Sequence, residues 1–383
     1  MIGDVAVPEA RKEATNLMPE NILDQIGEAA LYCALRRFWH PVLWADELRD
    51  VPVATRLLDE PLVLVRLDGE VRAFKDLCVH RGTALSLGWV EDGCLVCPYH
   101  GWTYNADGVC TRIPASHGTN IPRKARITTF VAAEHAGLIW VCLDDPVMPL
   151  PAFPEWGDEA YRIIKIPQYD WHCSAARRVE NFVDFSHFAW VHPGILGDRS
   201  NPEIPDHDVY RTDATLWFRL GIQEPPNDLK GDDTAAAEAE RIQREPSHYT
   251  ISMPFTVRLD QPLPDDRHFV LFVASCPLSA KETRNFTWNA RNYDLDPSRD
   301  AGFVEFQQVI LEQDRVVVES QRPEELPIDL SEELHIKGVD RVSIDYRRWL
   351  GEIAADEGGR IGPDRVPADR QTPETDPIGR TIR

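Results

Sequence analysis

Cys78-Val79-His80-Arg81-Gly82 and, with sixteen residues between His80 and Cys97, Cys97-Pro98-Tyr99-His100-Gly101-Trp102 decide how the first half of the chain folds. Each stretch brings one thiol and one imidazole into a short loop and follows them with a glycine. Glycine lets backbone N–H groups come close to an inorganic sulfide because no Cβ intervenes. Two thiols and two imidazoles fit a [2Fe–2S] centre in which Cys holds one iron and His the other. The rival is a structural zinc site with the same four donors on one ion. Cys94 adds a competing Cys-x2-Cys with Cys97. Cys-x-His, however, is a poor zinc-finger spacing.

The flanks of these loops read as strands. Pro61 to Leu67, the Asp68-Gly69 turn and Glu70 to Phe74 form a predicted hairpin. Asp107-Gly108 and the run Ala136 to Val141 suggest further strands with tight turns. Residues 38–148 are therefore expected to be a small β domain. Apolar residues at 22, 26, 29, 30 and 33 predict a helix from Asn21 to Phe38, within an N-terminal segment 1–37.

A second constellation lies in Glu180-Asn181-Phe182-Val183-Asp184-Phe185-Ser186-His187-Phe188-Ala189-Trp190-Val191-His192. Asp184 and His187 are three apart and would share a helix face. His187 and His192 are five apart, which one face of a regular helix does not bring together. Pro193-Gly194 stops a helix, so His187 reads as helical and His192 as lying where the helix ends. Two neutral imidazoles placed this way suit a first-row metal such as iron. Two unrelated core histidines are the alternative.

From Ala301 to Gln321 the period is helical. Phe303, Phe306, Ile310, Leu311, Val317 and Val318 lie on one arc, with Glu305, Glu312, Arg315 and Glu319 opposite. Asp314 falls in the middle of the apolar arc. An unpaired buried carboxylate costs several kcal/mol, and a metal would remove that cost. Asp314 is thus the candidate third ligand, ahead of the solvent-facing Glu312, for a 2-His-1-carboxylate set.

Between these motifs, Asp213 to Ile222, His248 to Leu259, Arg267 to Pro277 and Thr283 to Asn292 read as strands. The expected class is α+β, an antiparallel sheet packed with helices over residues 149–354. Pro149, Pro151 and Pro154 mark the linker into it. Gln223 to Pro246 reads as a polar surface excursion or a lid, and 355–383 as a tail.

The chain has 383 residues, 43% hydrophobic and 27% charged, with a formal net charge of −22. That balance argues against nucleic acid as a partner. No apolar run approaches a membrane span, and Met1 to Leu17 has no signal-peptide core, so the expected location is cytoplasmic. In such a setting the eight cysteines are expected as ligands or buried thiols, not disulfides.

These motifs, over about residues 35–350, resemble the oxygenase component of the Rieske non-haem iron oxygenases. Respiratory Rieske proteins carry an extra cysteine in each loop, whereas position 83 is Thr and position 99 is Tyr here. The resemblance implies a Rieske [2Fe–2S] domain and a helix-grip, START-like catalytic domain. It implies Cys78, His80, Cys97 and His100 as cluster ligands and His187, His192 and Asp314 as ligands of a mononuclear iron. It makes Asp184 the residue that bonds a ligand histidine and meets a Rieske histidine of a neighbouring subunit in a head-to-tail homotrimer. Electrons would come from NAD(P)H through a reductase, with or without a ferredoxin domain. The segment Arg177 to Gly194, with Ser275-Cys276-Pro277 and Val342 to Leu350, is most similar to the alkaloid N-demethylating subgroup. The implied reaction is O2-dependent hydroxylation or N-demethylation of a small N-heterocyclic molecule. Aromatic O-demethylation or C–H hydroxylation is the alternative within the class, and a Rieske electron carrier the non-enzymatic one. Phe185, Phe188, Trp190, Asn289 and Asn292 are the candidate pocket residues.

Overall fold

The structure, a computed structural model, describes residues 28–116, 120–222, 224–225, 229 and 245–355. Residues 28–34 are helical and continue into a 3-10 turn, Leu35–Arg37. The first part of the predicted helix, the excursion between 223 and 246 for the most part, and the tail beyond 355 lie outside the described residues. Strands β1 (His40–Trp44), β2 (Val53–Leu57), β3 (Glu60–Leu67) and β4 (Glu70–Lys75) come next. The predicted hairpin is β3–β4, with Leu67 opposite Glu70. Asp68 and Gly69 both have positive φ, as the tightest hairpin turn requires.

Four short strands follow: β5 (Trp89–Glu91), β6 (Cys94–Val96), β7 (Thr103–Tyr104) and β8 (Cys110–Arg112). They pair antiparallel in that order. After them β9 (Thr129–His135) and β10 (Leu138–Cys142) rejoin the first strands in a sheet of order β1-β10-β9-β4-β3-β2. Among the described residues all eight cysteines are free thiols.

The second half is built on an antiparallel sheet of β11 (Arg162–Trp171), β12 (Val209–Arg211), β13 (Thr215–Leu220), β14 (Ser247–Ser252), β15 (Thr256–Leu263), β16 (Arg267–Ser279) and β17 (Glu282–Arg291). Their order is β11-β17-β16-β15-β14-β13-β12. Two differences from the sequence reading have physical causes. The run His248 to Leu259 is two strands that reverse around Met253–Phe255, where Pro254 has no N–H for a ladder. β11 was not anticipated because Pro167 interrupts it. It lies at the edge of the sheet, where a register shift between Ile166 and Tyr169 absorbs the proline.

Among the described residues this half carries four helices: α1 (Ala175–Val183), α2 (Phe188–Val191), α3 (Asp300–Val318) and α4 (Arg341–Ala355). α1 begins where Ser174 Oγ accepts the Arg177 amide. It stops at Asp184, which adopts an extended conformation. The predicted helix through His187 is therefore broken. The Asp184 carboxylate accepts the Ser186 amide at 2.9 Å, an Asx turn that competes with helix continuation. His187 then occupies the position just before α2, with no side-chain bond to its first turn. On α3 the buried stripe is Phe303, Gln307, Ile310, Leu311, Asp314 and Val318, whereas Val317 is exposed. The apolar arc is rotated from the expected one so that two polar residues lie on it.

The two halves share one core. Trp44 meets Phe286 and Trp288 edge-on at 5.1 and 4.7 Å, and Trp288 donates to the Ala136 carbonyl. A buried ionic network ties α1 to α4. Arg347 donates to both Glu180 oxygens at 2.6 and 2.7 Å and to Glu333, which also accepts from Arg177. Arg347→Met leaves Glu180, which is largely shielded from solvent, without its main partner. It is expected to cost about 3–5 kcal/mol, read as a lower guanidinium midpoint for unfolding of the second half. A midpoint equal to wild type would show that the network contributes no net stability.

Candidate metal centres

The two cysteine loops are built alike. Cys78 N–H donates to the Thr83 carbonyl and Gly82 N–H to that of Cys78; Cys97 N–H donates to the Trp102 carbonyl and Gly101 N–H to that of Cys97. Gly82 and Gly101 have φ of +73° and +69°. A Cβ at Gly101 would lie 3.0 Å from the Pro114 ring. Both thiols are buried, and the Tyr104 hydroxyl lies 3.1 Å from Cys78 Sγ. Burial, with the neighbouring Cys78, pushes the Cys97 thiol up. His80 and His100 are exposed at the tip, their rings 4.5 Å apart, and His80 stacks on Trp102.

A tetrahedral zinc ion would gather four ligand atoms around one point. Among the described residues, the group of three or more potential ligands within 4.8 Å is His187, His192 and Asp314, not the Cys/His quartet. Buried thiols at one level and exposed imidazoles at another match a two-iron cluster better than a single ion.

The second centre forms where α2 faces α3. His187 Nε2 and His192 Nε2 lie 3.3 and 2.9 Å from Asp314 Oδ1. Asn181 Nδ2 donates to the same oxygen at 3.3 Å. His192 is fully buried, with Nδ1 2.7 Å from Gln313 Oε1. Asp184 Oδ2 is 3.7 Å from His187 Nδ1, so the two remain neighbours although the helix breaks between them. Burial alone would lower the His187 pKa, but the Asp184 and Asp314 carboxylates outweigh it and raise it to about 9. Burial would raise Asp314, yet the two imidazoles beside it hold it well below the usual carboxylate range. Both His187 ring nitrogens are buried without a good hydrogen bond. Two imidazoles and a carboxylate aimed at one point fit a divalent iron.

Residues 38–130 match the family model of the Rieske [2Fe–2S] domain, and residues 171–356 that of the vanillate O-demethylase oxygenase C-terminal domain. Over 328 residues the chain is 38% identical to methylxanthine N1-demethylase NdmA of Pseudomonas putida, covering 83% of this chain and 89% of that one. The chain belongs to the Rieske non-haem iron oxygenases. Methylxanthine N3-demethylase NdmB of the same organism is 35% identical over 347 residues, 87% of this chain and 94% of that one. The solved structure of NdmA with caffeine superposes with a TM-score of 0.76 at 36% identity, over 85% of this chain and 93% of that one. Enzymes of this kind carry a [2Fe–2S] cluster and a mononuclear iron, and receive electrons from a reductase. Relatives in Comamonas testosteroni, 29% and 28% identical, are named as iron–sulfur subunits of a toluene-4-sulfonate monooxygenase system.

In this Rieske oxygenase the His/His/Asp group separates two spaces. One is a mostly apolar cavity lined by Phe182, Phe188, Tyr249, Leu271, Gln307 and Ile310, among others. The other is a polar surface cleft lined by Asp184, Arg177, Glu180 and His335. Of the predicted pocket residues, only Phe188 lines the cavity. Phe185 packs in the core against Phe218 and Tyr249, and Trp190 is exposed beneath Arg199. Asn289 bonds the Val270 carbonyl, and Asn292 secures the turn near Asp266. Gln307 was missed although it lies seven residues before Asp314 on the same helical face; the apolar-arc argument could have found it. Glu312 points outward and pairs with Arg315. Titration of the protein with Co(II), its cluster intact, is expected to reveal one tight site that Asp314→Ala abolishes and Glu312→Ala keeps. The opposite pattern would identify the other carboxylate as ligand.

Proposed function

We propose that this oxygenase removes an N-methyl group from a small, uncharged N-heterocycle of the methylxanthine type. The observation that carries the reading is the cavity beside His187, His192 and Asp314. Its walls are largely aliphatic and aromatic, with the buried Gln307 amide offering a donor and an acceptor. Arg178 is the one Arg or Lys lining it among the described residues. It is committed to the Tyr169 hydroxyl and Asn181 and lies over the Trp171 ring. Among the described residues that leaves no uncommitted Arg or Lys for the carboxylate of an aromatic acid, which favours a neutral heterocycle over O-demethylation. The likeness to NdmA and NdmB supports the same choice.

In this reading residues 38–148 form the cluster domain, with Cys78, His80, Cys97 and His100 as ligands. Residues 149–354 form the catalytic domain, with His187, His192 and Asp314 holding the iron. An iron held there would supply O2 activation; with two electrons from the reductase through the cluster and two protons, one oxygen atom would be inserted into a C–H bond of the N-methyl group and the other would leave as water. The resulting carbinolamine loses formaldehyde and leaves N–H. The chain's own groups orient and exclude. Asn181 holds the Asp314 carboxylate, Gln307 fixes the heterocycle, and Phe188, Tyr249 and Leu271 keep bulk water from the methyl group.

The polar cleft serves electron entry. Its surroundings expose Val316, Val317, Leu334 and Ile336, and the cluster tip exposes Val79, Leu87, Trp89 and Tyr99. Exposed apolar groups on both surfaces favour contact between the tip of one copy and the Asp184 cleft of the next, repeated in a head-to-tail trimer. A reductase using NAD(P)H and a cytoplasmic setting complete the proposal. Among the described residues no helix is long and apolar enough to cross a membrane.

With a reductase supplied, N-methylated xanthines are expected to give one formaldehyde per N-demethylated product, identified by mass spectrometry. Turnover of methoxybenzoates with none of the N-methyl substrates would overturn the substrate class. Asp184→Asn preserves shape and removes the charge beside His187. Both centres are expected to assemble, while oxidation of the pre-reduced cluster in a single turnover slows about 10–100-fold. Unchanged cluster oxidation would make Asp184 a helix-terminating residue only.

A further inference from the structure

We infer that Gln313 is a positioning residue that sets the tautomer and ring plane of His192. This rests on the proposed role of His192 as an iron ligand. Its Oε1 lies 2.7 Å from His192 Nδ1, and His192 has no exposed surface. An amide oxygen can only accept, so Nδ1 carries the proton. The neutral ring then presents its lone pair at Nε2. That lone pair is 2.9 Å from Asp314 Oδ1, one acceptor facing another. The pairing is unfavourable between protein groups alone and favourable with a cation between them.

The two histidines are supported differently. His187 is backed by a half-exposed carboxylate, Asp184, at 3.7 Å, beyond hydrogen-bond reach. His192 is backed at close range by a neutral amide. A neutral acceptor holds the ring without adding a second negative charge beside Asp314. Gln313 and Asp314 are adjacent on α3 and point about 100° apart. One residue therefore enters the site while the other skirts the flank of the ring. A single helix delivers both the carboxylate and the clamp on the imidazole opposite. The same helix contributes Gln307 and Ile310 to the cavity wall, so its placement sets substrate wall and ligand geometry together.

The test uses the full-length protein with its cluster intact and its mononuclear metal removed. Wild type, Gln313→Leu, Gln313→Glu and Asp314→Ala are titrated anaerobically with Fe(II), and the Co(II) forms are compared by visible spectroscopy. Gln313→Leu keeps the volume but cannot accept a hydrogen bond; it is expected to bind Fe(II) about 10–100-fold more weakly and to change the Co(II) bands. Gln313→Glu restores an acceptor and is expected to bind within about threefold of wild type, by the same relation. The visible cluster spectrum and the melting temperature report that each variant is folded. Wild-type affinity in Gln313→Leu, or a loss in Gln313→Glu as large as in Gln313→Leu, overturns the inference. If wild type itself binds no Fe(II), or binds it no better than Asp314→Ala, the underlying ligand assignment fails instead.

Discussion

A buried carboxylate cannot stand alone. Asp314 sits on the inward face of α3 among Ile310, Leu311 and Val318, where an uncompensated negative charge would cost several kcal/mol. Two imidazoles and the Asn181 amide converge on one of its oxygens. The elements that carry them are placed to make that convergence possible: α1 ends early, α2 begins at His187, and α3 lies across the sheet. The protein groups answer the charge only partly. They hold His187 protonated well above its ordinary range, and that proton is what a metal would replace.

The break between α1 and α2 allows His187 and His192 to face the same point. On one regular helix they would diverge. Asp184 makes the break by accepting the Ser186 amide, and it also borders the polar surface cleft. Beneath it, Glu180, Arg347, Glu333 and Arg177 form a buried ionic layer that fixes the end of α1 against α4. Such a layer contributes more to placement than to net stability, because desolvating four charges offsets much of their attraction.

The cluster tip has the opposite design. Its thiols are buried, and two imidazoles face outward from glycine-bearing loops. A redox centre that must exchange electrons with other proteins needs such an edge. A C–H oxidation site needs a dry, shaped cavity. One chain provides both and joins them through a common aromatic core around Trp44 and Trp288.

Some of this was determined by sequence alone. The Cys-x-His and Cys-x2-His loops, the Asp68-Gly69 hairpin and Asp314 in an apolar arc are local patterns. Their meaning depends on donor chemistry, positive φ and helical period, all of which act over a few residues. The Asp184 turn is local too, but its hydrogen bond competes with helix propensity, and pattern alone favoured the helix. Tertiary structure decided the rest. The clamp of Gln313 on His192 spans 121 residues and that of Arg347 on Glu180 spans 167. Which residues wall the cavity depends on which strand faces which helix. Phe185 and Phe188 are three apart in sequence, yet one packs in the core and the other lines the cavity. No period in the chain separates them, because the sheet and α3, folded from distant segments, determine what each side chain meets.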